Sequence, residues 1–237
     1  MTVVDPVRDD QGWRFFDDDP DPINGYGYLL EAYLRTDPDF SDRVTVPVLW
    51  DKETNRAVNN ESSEIIRMLN TEFDRWAANP DLDFYPEPLR QEIDEVNERI
   101  YKSINNGVYR AGFATTQEAY EAAFIELFEA LDVMDDRLGE RRYLTGSRIT
   151  EADWRFFVTL IRFDAAYHGL FKANRRQIAD YPRLSAYMAR ILALPGVRET
   201  VDLDHITKGY YAVKALNPTR IRPVGPAHVL DLLARTA

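Results

Sequence analysis

The 237-residue chain contains no cysteine. Disulfides, thiolate metal sites and thiol catalysis by any of these residues are therefore excluded, while the redox compartment stays open because cytosolic proteins also lack disulfides. Long apolar runs are missing too. None approaches the roughly 18 residues of a membrane-spanning helix, and the opening MTVVDPVRDD has neither the basic nor the apolar segment of a secretory leader. A cytoplasmic protein is expected. Positive charge is scarce: 29 Lys and Arg stand against 40 Asp and Glu, for a formal net charge of -11. That field repels phosphate backbones and anionic headgroups, so neither nucleic acid nor membrane is an expected partner. The three histidines, His168, His205 and His228, are too scattered for a metal site, and a structural or solvated role is expected for each.

What is present describes a packed globular chain: 45% hydrophobic, 12% aromatic and 29% charged residues. The length suits two small domains. Acidity is concentrated at the start, where residues 1–42 hold eleven acids against three arginines. Within it, Asp17–Pro22 (DDDPDP) reads as an exposed, extended connection.

The run Val44–Trp50 has strand composition but carries Pro47 inside it, which must lie at an edge, a bulge or a point where the backbone leaves the sheet. Residues 51–56 form a polar turn and Ala57–Val58 begin a second strand, so a hairpin is expected. Asn60 then caps a helix whose apolar face is Ile65, Ile66, Leu69 and Phe73, with Glu61 and Ser62 in its polar first turn. Pro80, Pro86 and Pro88 mark a linker.

After the linker the pattern is helical. Leu89, Ile93, Val96, Ile100 and Ile104 form one stripe, stopped by Asn105-Asn106-Gly107. Thr115–Glu118 supplies a capping box for a second helix with Leu127, Phe128, Leu131, Met134 and Leu138, closed by Gly139. Thr150 and Asp153, with Ile149 stapling onto Trp154, start a helix apolar over much of its circumference, read as the buried centre of the second domain. A further helix runs from Tyr181-Pro182 to Leu192 and stops at Pro195-Gly196. The fold class is α/β plus all-α, with 1–75 as the first domain, 76–88 as linker and 89–237 as an all-helical second domain.

The segments Arg43–Asp51 and Asn59–Asn70 closely resemble the Xi-class glutathione transferases, the glutathionyl-hydroquinone reductases. So do Asn106–Ala114, Leu160–Asp164, Tyr210-Tyr211, Asn217–Thr219 and Pro223–Pro226, which together span nearly the whole chain. The resemblance implies a thioredoxin-like N-terminal domain followed by an all-helical one, a homodimer, glutathione as co-substrate and a quinol or other aromatic substrate. It implies that Pro47 is a cis-proline turning Val46 outward to pair with the cysteinyl backbone of glutathione. It places the γ-glutamyl end on Glu61 and Ser62, and Trp13 close to the bound thiol. Tyr109 and Tyr210 match tyrosines that face the quinol, with Tyr211 as an adjacent alternative. Thr207 and Gly209 depart from the pattern, standing where basic or histidine residues are expected.

The family nucleophile is the cysteine of a Cys-Pro-Trp motif at the start of the first helix, and nothing here corresponds to it. Val3–Pro6 resembles the second strand of the thioredoxin-like domain, so the chain is expected to be a truncated form lacking the first strand and helix. Three functions follow: a glutathione-dependent reductase whose cysteine lies outside these residues, a non-catalytic thiol-binding or protein-interaction module, and a transferase that activates glutathione through a hydroxyl. For the last, nothing in these residues speaks.

Overall fold

A computed structural model describes residues 1–16, 18 and 20–234. The chain divides into two compact units, Met1–Asp83 and Phe84–Ala237.

In the first unit, residues 1–28 fold without regular strands. Val3–Pro6 is not a strand as expected: Asp5 N–H meets the Arg14 carbonyl at 2.9 Å, and the bridges Asp9–Gly12 and Arg14–Tyr28 are isolated. A single strand with no ladder beside it cannot pair its backbone, and side chains hold the segment instead. The buried Asp5 carboxylate accepts from Val7 N–H and from Arg14 Nε and Nη2. The extended connection expected at Asp17–Pro22 falls partly on Asp17 and Asp19, outside the described residues. Asp21 departs from it by being buried, its carboxylate accepting from Ile23 N–H, Asn24 N–H and the Asn24 amide.

Helix α1, Leu29–Thr36, follows, its start held by Glu31, whose carboxylate accepts from the N–H groups of Gly27 and Tyr28. Leu29, Ala32 and Tyr33 bury the i, i+3, i+4 face against Phe15, with Trp13, Val44, Val48 and Trp50 packed around them.

The strand expected over Val44–Trp50 shrinks to β1, Leu49–Asp51, paired antiparallel with β2, Arg56–Asn59, across a bulge between Leu49 and Trp50. The Val46–Pro47 bond is cis. Pro47 has no N–H to give a ladder, so pairing begins only beyond it. Helix α2, Ser62–Thr71, is capped by Glu61, not Asn60. Asn60 is drawn away because its amide bonds Tyr33 and Thr45. Of the expected α2 face only Ile65 is buried, and Leu69 and Phe73 are exposed.

The second unit is a helical body. Helix α3, Arg90–Ile100, buries Ile93, Val96 and Ile100, and a π turn, Tyr101–Asn105, carries it on to α4, Gly107–Gly112. Asn105-Asn106-Gly107 therefore does not stop the run; the wider turn absorbs it, and Gly107 opens the next helix in close contact with Leu127. Helix α5, Gln117–Glu140, is capped by Thr116, whose hydroxyl accepts from Ala119 N–H, one residue later than the expected box, and it continues past Gly139.

Helix α6, Glu151–Arg162, starts as read, with Thr150 as cap and Asp153 at the third position. The fully buried Asp153 carboxylate accepts from Thr150 N–H (2.8 Å), Leu144 N–H (2.9 Å) and the Tyr187 hydroxyl (2.7 Å). Burial nonetheless raises its pKa. Trp154 meets Phe84 edge-on at 5.7 Å. A second π turn, Phe163–Tyr167, joins α6 to the short α7, His168–Leu170. Helices α8, Pro182–Leu192, α9, Leu203–Tyr211, and α10, Ala227–Ala234, complete the unit. The core stripes of α3, α5 and α6 converge with Leu184, Tyr187 and Ile191 of α8 in one apolar body.

Candidate functional site

In the N-terminal unit, the candidate residues sit on two loops pinned by one buried tyrosine. Val46 is exposed, and its main-chain N–H and C=O have no hydrogen-bond partner among the described residues. Just before it, the Thr45 carbonyl accepts from the Tyr33 hydroxyl at 2.8 Å. The same hydroxyl accepts from the Asn60 amide at 3.1 Å, and that amide also reaches Thr45 Oγ1 at 3.2 Å. Asn60 directly precedes the α2 cap, so Tyr33 of α1 ties the Val46-Pro47 turn to the start of α2.

At that start, Glu61 N–H is turned onto the Asn59 side chain at 2.6 Å, and Glu61 O receives Glu64 and Ile65 N–H. Glu61 and Ser62 are exposed. The first-turn N–H groups of Ser62 and Ser63 and the Ser62 hydroxyl have no partner among the described residues. A helix start with free N–H donors, a hydroxyl and an adjacent carboxylate is suited to a carboxylate and an ammonium on one ligand. Trp13 lies apart from these loops in the chain but in the apolar cluster that includes Val44 and Val48, two residues either side of Val46. Its ring is covered by the Arg8 guanidinium at 5.1 Å.

In the helical unit, Tyr109 of α4 and Tyr210 of α9 come together, their hydroxyls 2.7 Å apart. A third phenol completes the chain: Tyr167, in the π turn after α6, lies 2.6 Å from the Tyr210 hydroxyl. Burial first, and then the neighbouring phenols, push the pKa of Tyr167 well above the usual phenol value, and burial does the same to Tyr210, so both stay protonated. Phe171 packs edge-on to Tyr109 and Tyr210 at 5.4 and 5.8 Å, and Phe113 lies parallel to Tyr109 at 6.5 Å.

Tyr211 is not in this chain; its carbonyl accepts from the Asn217 amide and its hydroxyl lies beside Gly169. Thr207 turns its hydroxyl back onto the Leu203 and Asp204 carbonyls of its own helix. Tyr167 is absent from the sequence-derived set because, four residues after Phe163 and four before Phe171, it reads as one more member of a helical apolar stripe. Among the described residues no group of His, Asp or Glu is arranged to hold a metal ion. A cleft of about 480 Å³ between α3 and α5, lined by Glu95, Glu98, Arg99, Lys102, Glu126 and Glu129 among others, contains none of the candidate residues.

Family models for the N-terminal and C-terminal domains of glutathione S-transferase match residues 5–72 and 117–190. The glutathionyl-hydroquinone reductase PcpF of Sphingobium chlorophenolicum is 50% identical over 234 residues, covering 97% of this chain and 74% of that protein. The chain belongs to the glutathione transferase family, and it is similar to that family's glutathionyl-hydroquinone reductases. The reductase YqjG of Escherichia coli is 47% identical over 98% of this chain and 72% of its own length. Its glutathione-bound structure superimposes with a TM-score of 0.93 at 46% identity, covering 95% of this chain and 74% of that one. The Xi transferase of Phanerochaete chrysosporium gives the same TM-score at 47% identity, over 96% of this chain and 80% of that one. The first unit thus corresponds to the thioredoxin-like domain of the fold and the second to its helical domain. No described helix is long and apolar enough to cross a membrane.

Proposed function

We propose that the chain acts on glutathione conjugates of hydroquinones, with glutathione-recognising residues in its first unit and quinol-recognising residues in its second. The observation that carries the reading is a row of three phenol hydroxyls, with Tyr210 2.6 Å from Tyr167 and 2.7 Å from Tyr109, beside the Phe171 and Phe113 rings. Such a patch offers an arene both apolar walls and an O–H for its oxygen.

In the thiol half, Val46 pairs through its free main chain with the cysteinyl backbone, next to the cis Pro47. The α2 start with Ser62 receives the γ-glutamyl carboxylate, Glu61 faces its ammonium, and Trp13 lies near the sulfur. Tyr109 and Tyr210 face the quinol oxygen, with Tyr211 outside their hydrogen-bond chain. The domain limits 1–75 and 89–237, joined by 76–88, go with this division.

In the reaction a thiolate attacks the glutathionyl sulfur, a disulfide bond forms and the ring carbon–sulfur bond breaks. The released electron pair passes to the ring, which takes up a proton and leaves as the hydroquinone. A second glutathione then reduces the disulfide. The sulfur is oxidised and the ring carbon reduced, with no metal involved. The attacking thiolate is not among these 237 residues, which contain no cysteine. A homodimer and a cytoplasmic setting, where glutathione is kept reduced, belong to the same reading.

Calorimetric titration tests the recognition directly. The chain is expected to bind glutathione, with at least about tenfold weaker binding after Glu61→Gln with Ser62→Ala, a loss of about 1.4 kcal/mol. It is expected to bind a simple hydroquinone more weakly after Tyr109→Phe or Tyr210→Phe. A chain that binds neither ligand overturns the proposal.

A further inference from the structure

One order lets each of the three phenols spend its hydrogen in turn. Each hydroxyl has one hydrogen and two lone pairs. Tyr167 is 2% exposed, and Tyr210 is the sole hydrogen-bond partner of its hydroxyl among the described residues. The Tyr167 hydrogen must therefore go to Tyr210, since a buried donor left unspent is costly. Among the described residues the partners of the Tyr210 hydroxyl are Tyr167 and Tyr109, and having accepted from the first it keeps its own hydrogen within the chain by donating to the second. Tyr109 accepts, and its own hydrogen is left to point out from the exposed end of the chain.

From this we propose that Tyr167, Tyr210 and Tyr109 form a one-way donor chain that presents the Tyr109 O–H to an acceptor oxygen on the arene, selecting a quinolate or a quinone-like carbonyl over a neutral phenol. The inference rests on the arene-binding reading of these tyrosines and adds a direction to it. Tyr167 is then a positioning residue, since it touches no substrate and acts by orienting Tyr210. Successive hydrogen bonds of the same sense polarise one another, so the outermost O–H is a stronger donor than an isolated phenol.

Burial keeps Tyr167 and Tyr210 protonated, and the Arg162 guanidinium acts on both electrostatically, adding positive charge near the chain. The direction suits the chemistry. When the carbon–sulfur bond of a conjugate breaks, the electron pair delocalises onto the ring oxygen, and a donor already aimed there is needed more in the transition state than in the ground state.

The test uses 4-nitrophenol, whose visible absorption reports its ionisation, with the full chain. Bound nitrophenol is expected to titrate about one pH unit below the free dye, a tenfold preference for the phenolate. Tyr167→Phe is expected to leave the melting temperature close to that of the parent and to reduce the preference by about twofold or more, and Tyr210→Phe to abolish it.

A second measurement needs no variant. At a pH where the dye is neutral, 4-nitroanisole, which can only accept, is expected to bind within about threefold of 4-nitrophenol, a difference below 1 kcal/mol. Preferential binding of the neutral phenol, failure of the anisole to bind, or an unchanged preference in Tyr167→Phe overturns the proposed direction while leaving arene binding intact. Absence of binding by both arenes overturns the arene-site reading itself.

Discussion

In the helical unit Ile93, Ile100, Ile104, Leu127, Phe128, Leu131, Phe156 and Phe163 are all completely buried. In the N-terminal unit the buried core side chains Phe15, Leu29, Ala32, Tyr33 and Ile65 are each still 4 to 8% exposed. The thin core leaves more to polar contacts. Asp5 with Arg14, the Asp21 turn and the Tyr33 hydroxyl each fix a stretch of loop that no strand ladder holds. The two candidate half-sites therefore depend on different physics. The phenols stand on a packed apolar body, whereas the residues proposed to anchor the thiol stand on a few hydrogen bonds, each contributing about 0.5–1.5 kcal/mol.

Truncating each core exposes the contrast most strongly. Phe156→Ala is expected to cost about 3–5 kcal/mol in denaturant unfolding, while Leu29→Ala in the thinner core falls toward the 2 kcal/mol end of the usual range. Equal costs would remove the distinction. Next in size is Gly112→Ala. A Cβ there would stand 2.4 Å from a ring atom of Phe171, so overpacking of about 1–3 kcal/mol is expected, together with weaker hydroquinone binding as Phe171 is pushed from the phenols.

Tyr33→Phe sharpens the other side of the comparison. It removes the bonds from one hydroxyl to Thr45 and Asn60 at a stability cost of about 1 kcal/mol. Because those bonds fix the spacing of the Val46 and Glu61 anchors, glutathione affinity measured by calorimetry is expected to fall while hydroquinone affinity stays unchanged.

The smallest effect is expected at Glu92, bound by Arg137 and Arg141 on the surface of the helical unit. Burial raises its pKa, but Arg141 and Arg137 together outweigh burial and hold the carboxylate below its ordinary value. A depressed folded pKa contributes stability above the unfolded value, near 4.3, which is lost as pH falls through the folded value. Glu92→Gln is expected to cost under about 1 kcal/mol near neutral pH and to flatten that acid loss in a pH series of melts.

The helical unit was the more legible in sequence because its order is local. The stripes of α3 and α5, the Thr150–Asp153 start of α6 and the Pro182–Leu192 span of α8 all rest on residues three to four apart. The expectations depart from the fold at the α5 ends, capped by Thr116 and continuing past Gly139, and at the first π turn, where Asn105-Asn106-Gly107 has the composition of a helix stop yet is carried through by a wider turn. Helix α1 carries no ordinary start signal because its cap is Tyr28, with the capping done backward by Glu31, and α9 and α10, nine and eight residues long, are too short to repeat a stripe over several turns.

In the first unit the decisive contacts are long-range. Tyr33 meets Thr45 and Asn60 across 12 and 27 residues, a separation no local pattern reports. The strand expected at Val3–Pro6 failed for a related reason, since a strand is made by its neighbour and not by its own composition. The roles proposed for Val46, Pro47, Glu61 and Ser62 come from resemblance, and Tyr167 stands outside both routes because it looks like core.

Hydrogen-exchange mass spectrometry of the intact chain, with and without each ligand, tests the division of labour most directly. Glutathione is expected to slow exchange in residues 44–64, and hydroquinone to slow it in 107–113, 163–171 and 203–211. Glutathione protection confined to the helical unit, or no protection by either ligand, would contradict the account.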